Sequence, residues 1–287
     1  MKINKSRIKK KTSAGIIIFV KILILTGICF VVLYPQFEKL AISFMSVDDL
    51  YDSSVQYIPS QFSLNNYKRA IEYTDYWNTL IRTVLFVLLN SFLQVCSAML
   101  IGYGFARFDF KGKNILFGCV IATLIVPVQS FVVPLYKHFL GLKLLNTAFP
   151  ILLLSAGGIG LKSGLYIFLF RQRFAGIPKE LEESGKIDGA GDFRSIMVPS
   201  ALTIFVTCLL FSFVWQWTDN YYISVFMPTN KYLANMVSLL ATISTDDYSL
   251  SLLTNAGVIL LILPILFIFL IAQRFFVQGV ETAGIVG

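Results

Sequence analysis

Long apolar runs, separated by shorter polar stretches, dominate the chain. A helix needs about 20 apolar residues to cross a bilayer. Six stretches approach or exceed that length, at 14–34, 79–105, 114–136, 146–170, 200–226 and 253–273. The pattern predicts an all-α integral membrane protein with six transmembrane helices, because helices satisfy their own backbone groups in lipid. Longer polar connections lie at 35–78, 171–199 and 227–252. The organisation expected is a basic tail at 1–13, a first transmembrane helix at 14–34 and a loop at 35–78. A five-helix core at 79–273, containing the loop 171–199, and a tail at 274–287 complete it. Lys21 lies within the first stretch, and 22–34 alone is too short to cross. The helix is therefore expected to continue through Lys21, with its ammonium reaching the interface. The basic start resembles a signal peptide, but no small-residue cleavage site comes after it, so a retained helix is expected. Pro127 and Pro134 interrupt the third stretch and Pro264 the sixth. Such breaks are tolerated where neighbouring helices or a cavity satisfy the freed carbonyls.

Composition agrees with this pattern. Hydrophobic residues make up 56% of the 287 and charged residues 14%, against about 25% charged in soluble domains. An ordinary soluble domain and a disordered chain are both excluded. Cys29, Cys96, Cys119 and Cys208 stand singly in apolar segments and read as small core residues. His138 is the one histidine, which excludes a histidine-cluster mechanism.

The net charge of +8 is not spread evenly. Fifteen lysines and arginines fall in the N-terminal tail, the loops after the second and fourth stretches, and the C-terminal tail. The opposite loops hold six, together with Glu38, Asp48, Asp49, Asp52, Glu72, Asp75, Asp246 and Asp247. The excess of positive charge on one side predicts that both termini are cytoplasmic. A nucleic-acid partner is not needed to explain the charge.

The loop 171–199 reads RQRFAGIPKELEESGKIDGAGDFRSIMVP. Ile177-Pro178 suits a helix start, with proline in the first turn. Glu180, Glu182 and Glu183 then cluster where carboxylates complement the helix dipole. Asp188-Gly189-Ala190 reads as a sharp turn, with Asp188 able to cap the next segment. That second short segment runs from Phe193 to Val198. Two short helices presenting small residues and charge form a docking knob; a solvated connection between two spans is the alternative.

These residues carry a resemblance. Glu183-Ser184-Gly185 followed by Lys186-Ile187-Asp188-Gly189-Ala190 is similar to the EAA loop of permease subunits of binding-protein-dependent ABC importers. Asn78-Thr79-Leu80, Pro127-Val128-Gln129, Trp215-Gln216-Trp217-Thr218-Asp219 and the tail from Gln273 to Gly284 extend the likeness to the carbohydrate branch, with its smaller maltose-type subunits. Ser184-Gly185 replaces two alanines, and only eight residues separate Ala190 from Pro199, a shorter stretch than the family pattern has.

The resemblance implies a type I importer permease fold, one half of a pore for a sugar or oligosaccharide. The implied partners are a second homologous permease, two ATPase subunits that bind ATP and Mg, an extracytoplasmic solute-binding protein and the lipid bilayer of a bacterial cell membrane. No cofactor is expected in this chain, and no enzyme activity. No G-x-x-x-x-G-K-[ST] occurs; the glycines of Gly157-Gly158-Ile159-Gly160 read as close helix packing. The implied ATPase-coupling residues are Glu182, Glu183, Ser184, Gly185, Asp188, Gly189 and Ala190. Asn78, Trp215, Gln216, Trp217, Asp219 and Asn220 are the candidates for a solute pathway or gate, although tryptophan also collects in interfacial belts. Lys162 can either reach an interface or face a polar interior. A permease for another solute, or a secondary transporter working through intramembrane charges, are the rival readings.

Overall fold

A computed structural model describes residues 5–127, 129–178, 180, 181, 183, 192–241 and 247–284. Every regular element among them is helical. The chain divides into two units, Met1–Ala70 with Leu240–Leu260, and Ile71–Leu239 with Leu261–Gly287.

In the first unit, α1 spans Lys5–Ser43, with Pro35 inside it. The apolar run therefore extends nine residues past the expected end at residue 34, and 35–43 is helix rather than loop. Lys21 lies within this helix. The 27-residue apolar part, Ile17–Ser43, leaves large side chains such as Phe19, Leu23 and Phe30 exposed, as suits a helix whose solvent is lipid. Two short helices come next, α2 (Val47–Tyr51) and α3 (Asn65–Thr74). Ser46 caps α2 in a reciprocal box with Asp49. The Asp49 carboxylate also accepts from the backbone N–H of Ser60 at 3.2 Å and from its hydroxyl. Asn66 donates to the carbonyls of Ser43 and Met45 at 3.1 and 2.8 Å, tying α3 to the end of α1.

The second unit is built on α4 (Tyr76–Arg107). One stripe of α4, including Phe86, Asn90, Gln94, Val95, Ala98 and Gly102, is buried. Along it pack α7 (Phe149–Ala156), α8 (Ser163–Ala175) and α9 (Leu202–Thr218). At the α4–α8 seam a Cβ on Gly102 would lie 2.6 Å from the Cβ of Phe170 and 3.0 Å from the backbone N of Arg171. Only glycine permits that approach.

Three of the expected continuous spans are broken. The third divides into α5 (Lys113–Ile125) and α6 (Gln129–Gly141), bent by 103°. Pro127 sits at the break, whereas Pro134 is accommodated within α6. The fourth divides into α7 and α8 around 157–162, where Gly158 and Lys162 adopt φ of 74° and 61°. A left-handed pair cannot continue a right-handed helix, so the close-packing glycines stand in a turn rather than a span. The fifth divides into α9 and α10 (Asn220–Phe226), bent by 58° at Asp219. A short helix α11 (Leu233–Leu240) precedes α12 (Asp247–Gly284), which carries Pro264 without a break. Among the described residues three helices are long and apolar enough to cross a membrane, or up to five if each bent pair at 113–141 and 202–226 is one span. Of the cysteines, Cys208 alone is buried; Cys29 and Cys119 are exposed and Cys96 half-buried. Helix faces turned to lipid need no polar atoms, so an apolar position is not thereby a core position.

Candidate functional site

The loop 171–199 rises from a dense core. Phe170, Phe174, Ile177, Met197 and Ala201 are buried together with Val95, Met99, Tyr166 and Ile204. Arg107, in the last turn of α4, donates to the carbonyl of Ile177 at 2.7 Å. Arg173 donates to the carbonyl of Ser200 at 2.8 Å. Both ends of the loop are thus held by aromatic packing and by a guanidinium on a backbone oxygen. Beyond Pro178, Glu180, Leu181 and Glu183 are helical and exposed. Glu182, Ser184, Gly185, Asp188, Gly189 and Ala190 lie outside the described residues. The return segment Asp192–Met197 is a π-helical turn leading into Val198–Ser200. There Phe193 packs on Tyr103, with ring centroids 4.8 Å apart.

Mid-span polar residues converge behind the α7–α8 break. Gln94 is fully buried and makes four hydrogen bonds. Its Nε2 donates to the carbonyl of Leu161 at 2.6 Å and to Ser163 Oγ at 2.8 Å. Its Oε1 accepts from Ser212 Oγ at 2.7 Å and from Gln216 Nε2 at 2.9 Å. Asn90 Nδ2 donates to Gln216 Oε1 at 2.6 Å. An amide so saturated holds α4, α9 and the start of α8 in one register.

In front of that network lies a cavity of about 610 Å3 between the two breaks. Val126, Pro127 and Gln129 line one side, and Gly158 to Gly164 the other, with Tyr222 completing it. Lys162 lines it as well, and its Nζ stands 5.7 Å from the centroid of the Trp215 ring. The lysine faces a cavity and an aromatic ring. Its φ of 61° costs about 1–2 kcal/mol for a residue with a Cβ.

The remaining candidates make contacts within the chain. Gln216 is spent in the buried network, and Trp217 is fully buried, donating its Nε1 to the Leu261 carbonyl at 3.0 Å. Asp219 caps α10, accepting from the N–H groups of Tyr221 and Tyr222 at 3.1 and 3.2 Å. Asn220 accepts from Ser224 Oγ, and Asn78 donates to the Asp75 carboxylate. Of the six candidates, Trp215 is the one that contacts a cavity-lining cation. Sequence reasoning missed Gln94, although polar residues at 90, 91 and 94 within an apolar span point to a buried seam. Among the described residues no group of three His, Cys, Asp or Glu side chains could hold a metal ion.

The family model of the binding-protein-dependent transport system inner membrane component matches residues 98–282. The chain belongs to this family. The match takes in the loop 171–199, the α7–α8 break and both bent pairs. This inner membrane component is 27% identical over 269 residues to the arabinooligosaccharides transport system permease protein AraQ of Halalkalibacterium halodurans, covering 91% of this chain and 93% of that one. It is 28% identical over 239 residues to the melibiose/raffinose/stachyose import permease protein MelC of Bacillus subtilis, covering 82% and 85%. Its fold matches a chain of a bacterial ABC transporter involved in the import of the acidic polysaccharide alginate, with a TM-score of 0.74 at 19% identity over 92% and 98% of the two chains. Membership sets the secondary-transporter reading aside: this is a helical membrane permease component.

Proposed function

We propose that this inner membrane component forms half of the translocation pore of an ATP-driven importer for a sugar or oligosaccharide. The second half is a homologous permease subunit. An extracytoplasmic binding protein delivers the solute, and two ATPase subunits bind ATP and Mg. The sugar class rests on the import permeases for oligosaccharides to which the chain is similar. Taking each bent pair as one span gives up to five crossings, α7 and α8 read as a further broken span bring the proposed number to six, and the charge distribution supports cytoplasmic termini.

The observation that carries the coupling role is the loop at 171–199. Its two ends are fixed in the core by Arg107 and Arg173, while Glu180, Leu181 and Glu183 project beyond it. A segment anchored in this way transmits a push at its tip to α8 and α9 instead of absorbing it. Glu183 supplies the charge-assisted contact to the ATPase. This chain then contributes conformational coupling, and bond cleavage occurs on the partner ATPase.

Co-purification through a tag on this chain, in mild detergent, tests the reading. A second permease and an ATPase are expected in the eluate. Glu183→Ala removes a charged hydrogen bond worth about 1.5–3 kcal/mol, so ATPase recovery is expected to fall by about tenfold or more. A chain that elutes alone, with the variant behaving the same, ends the importer reading.

A further inference from the structure

The cavity between the two broken spans contains a cation that the proposed function does not use. Lys162 sits at a left-handed position, at the end of a turn that glycines keep narrow: a Cβ on Gly160 would lie 2.6 Å from Ser155 Oγ. Gln94 clamps the residue on either side, through the Leu161 carbonyl and the Ser163 hydroxyl. The lysine backbone is thereby placed by the saturated Gln94 amide rather than by a loop free to turn elsewhere. Its ammonium makes no ion pair among the described residues. The Trp215 ring seats the cation through its quadrupole, which attracts positive charge without neutralising it.

Lys162 is exposed in the turn between α7 and α8 and lines the cavity, so its ammonium is open to a ligand that enters there. The volume, about 610 Å3, falls within the range of small-molecule sites. The other polar lining side chains, Thr123, Gln129, Ser163 and Tyr222, are uncharged hydrogen-bonding groups of the kind that hold sugar hydroxyls. We propose that this cavity binds an acidic saccharide, one bearing a carboxylate, and that Lys162 selects for its charge. The inference deepens the importer reading and rests on it for the saccharide. Trp215 positions Lys162, and Gln94 positions the turn that carries it.

The test uses the complex purified through a tag on this chain and placed in lipid nanodiscs. Trigalacturonate and the neutral maltotriose are titrated while tryptophan fluorescence is monitored. Trp215 stands next to Lys162 and reports occupancy; Trp215→Phe identifies its share of the signal. Trigalacturonate is expected to bind at least about tenfold more tightly than maltotriose. Lys162→Gln is expected to abolish that preference and Lys162→Arg to keep it, with both variants assembling as the wild type does. Equal binding of the two saccharides, no saturable response to either, or competition by sodium acetate at equal carboxylate concentration overturns the proposal. Failure of a Lys162→Gln complex to assemble also overturns it, assigning the lysine to a subunit contact. The titration is repeated on the chain alone, so a missing ATPase, which counts against the importer reading, leaves this readout intact.

Discussion

Gln94 uses every hydrogen-bonding position of its amide, two as donor and two as acceptor. Removing it strands Ser163, Ser212 and Gln216 in a dry seam. Interhelical hydrogen bonds in membranes are worth about 0.6 kcal/mol each on average, so Gln94→Leu is expected to destabilise the chain by about 2 kcal/mol. A lowered thermal midpoint in detergent checks this. Asp49 makes a different prediction. The Ser60 hydroxyl and then the Ser46 backbone N–H hold its carboxyl below the ordinary carboxylate range. A folded-state value below the unfolded one stabilises at pH above the unfolded value, about 3.9, and that stability is lost as pH falls through the folded value. Protease cutting within 46–60 is therefore expected to begin on acidification below about pH 4, and at a higher pH in Ser60→Ala. The pattern of the chain did not point to the partners of Gln94, because its bonds to Ser212 and Gln216 join positions more than a hundred residues apart.

At the scale of the element, glycines on one helix have opposite roles. Gly102 lies against Phe170 and Arg171, whereas Gly104, two residues on, has nothing within 4 Å of its Cβ position. Gly102→Ala is expected to cost about 1–3 kcal/mol through overpacking at the α4–α8 seam. Gly104→Ala is expected to be neutral or to gain up to about 1 kcal/mol of helix propensity. Thermal unfolding of the two variants side by side distinguishes them. The broken spans belong to the same scale. Pro127 marked one break in advance, but the α7–α8 break has no proline; it depends on Gly158 and Lys162 at positive φ. The 146–170 stretch is apolar enough to pass for one helix, since hydropathy records affinity for lipid and not backbone handedness.

For the whole molecule, the anchored loop and the cavity lie within one unit, so the proposed coupling surface and the proposed solute site share one body. Which solute enters, and whether Glu183 reaches an ATPase, are settled by the titration and the co-purification. The amino-acid sequence by itself determined that the chain is helical and membrane-embedded, because long apolar runs with so few charges have no other stable state. It also determined the family, through a loop whose residues are near neighbours in the chain. Only the tertiary structure decided which polar residues are structural and which face a cavity. Gln216 and Trp215 are adjacent in the chain, yet one turns into a buried network and the other toward Lys162. Neighbours on a helix point about 100° apart, and what each meets depends on helices brought alongside by folding.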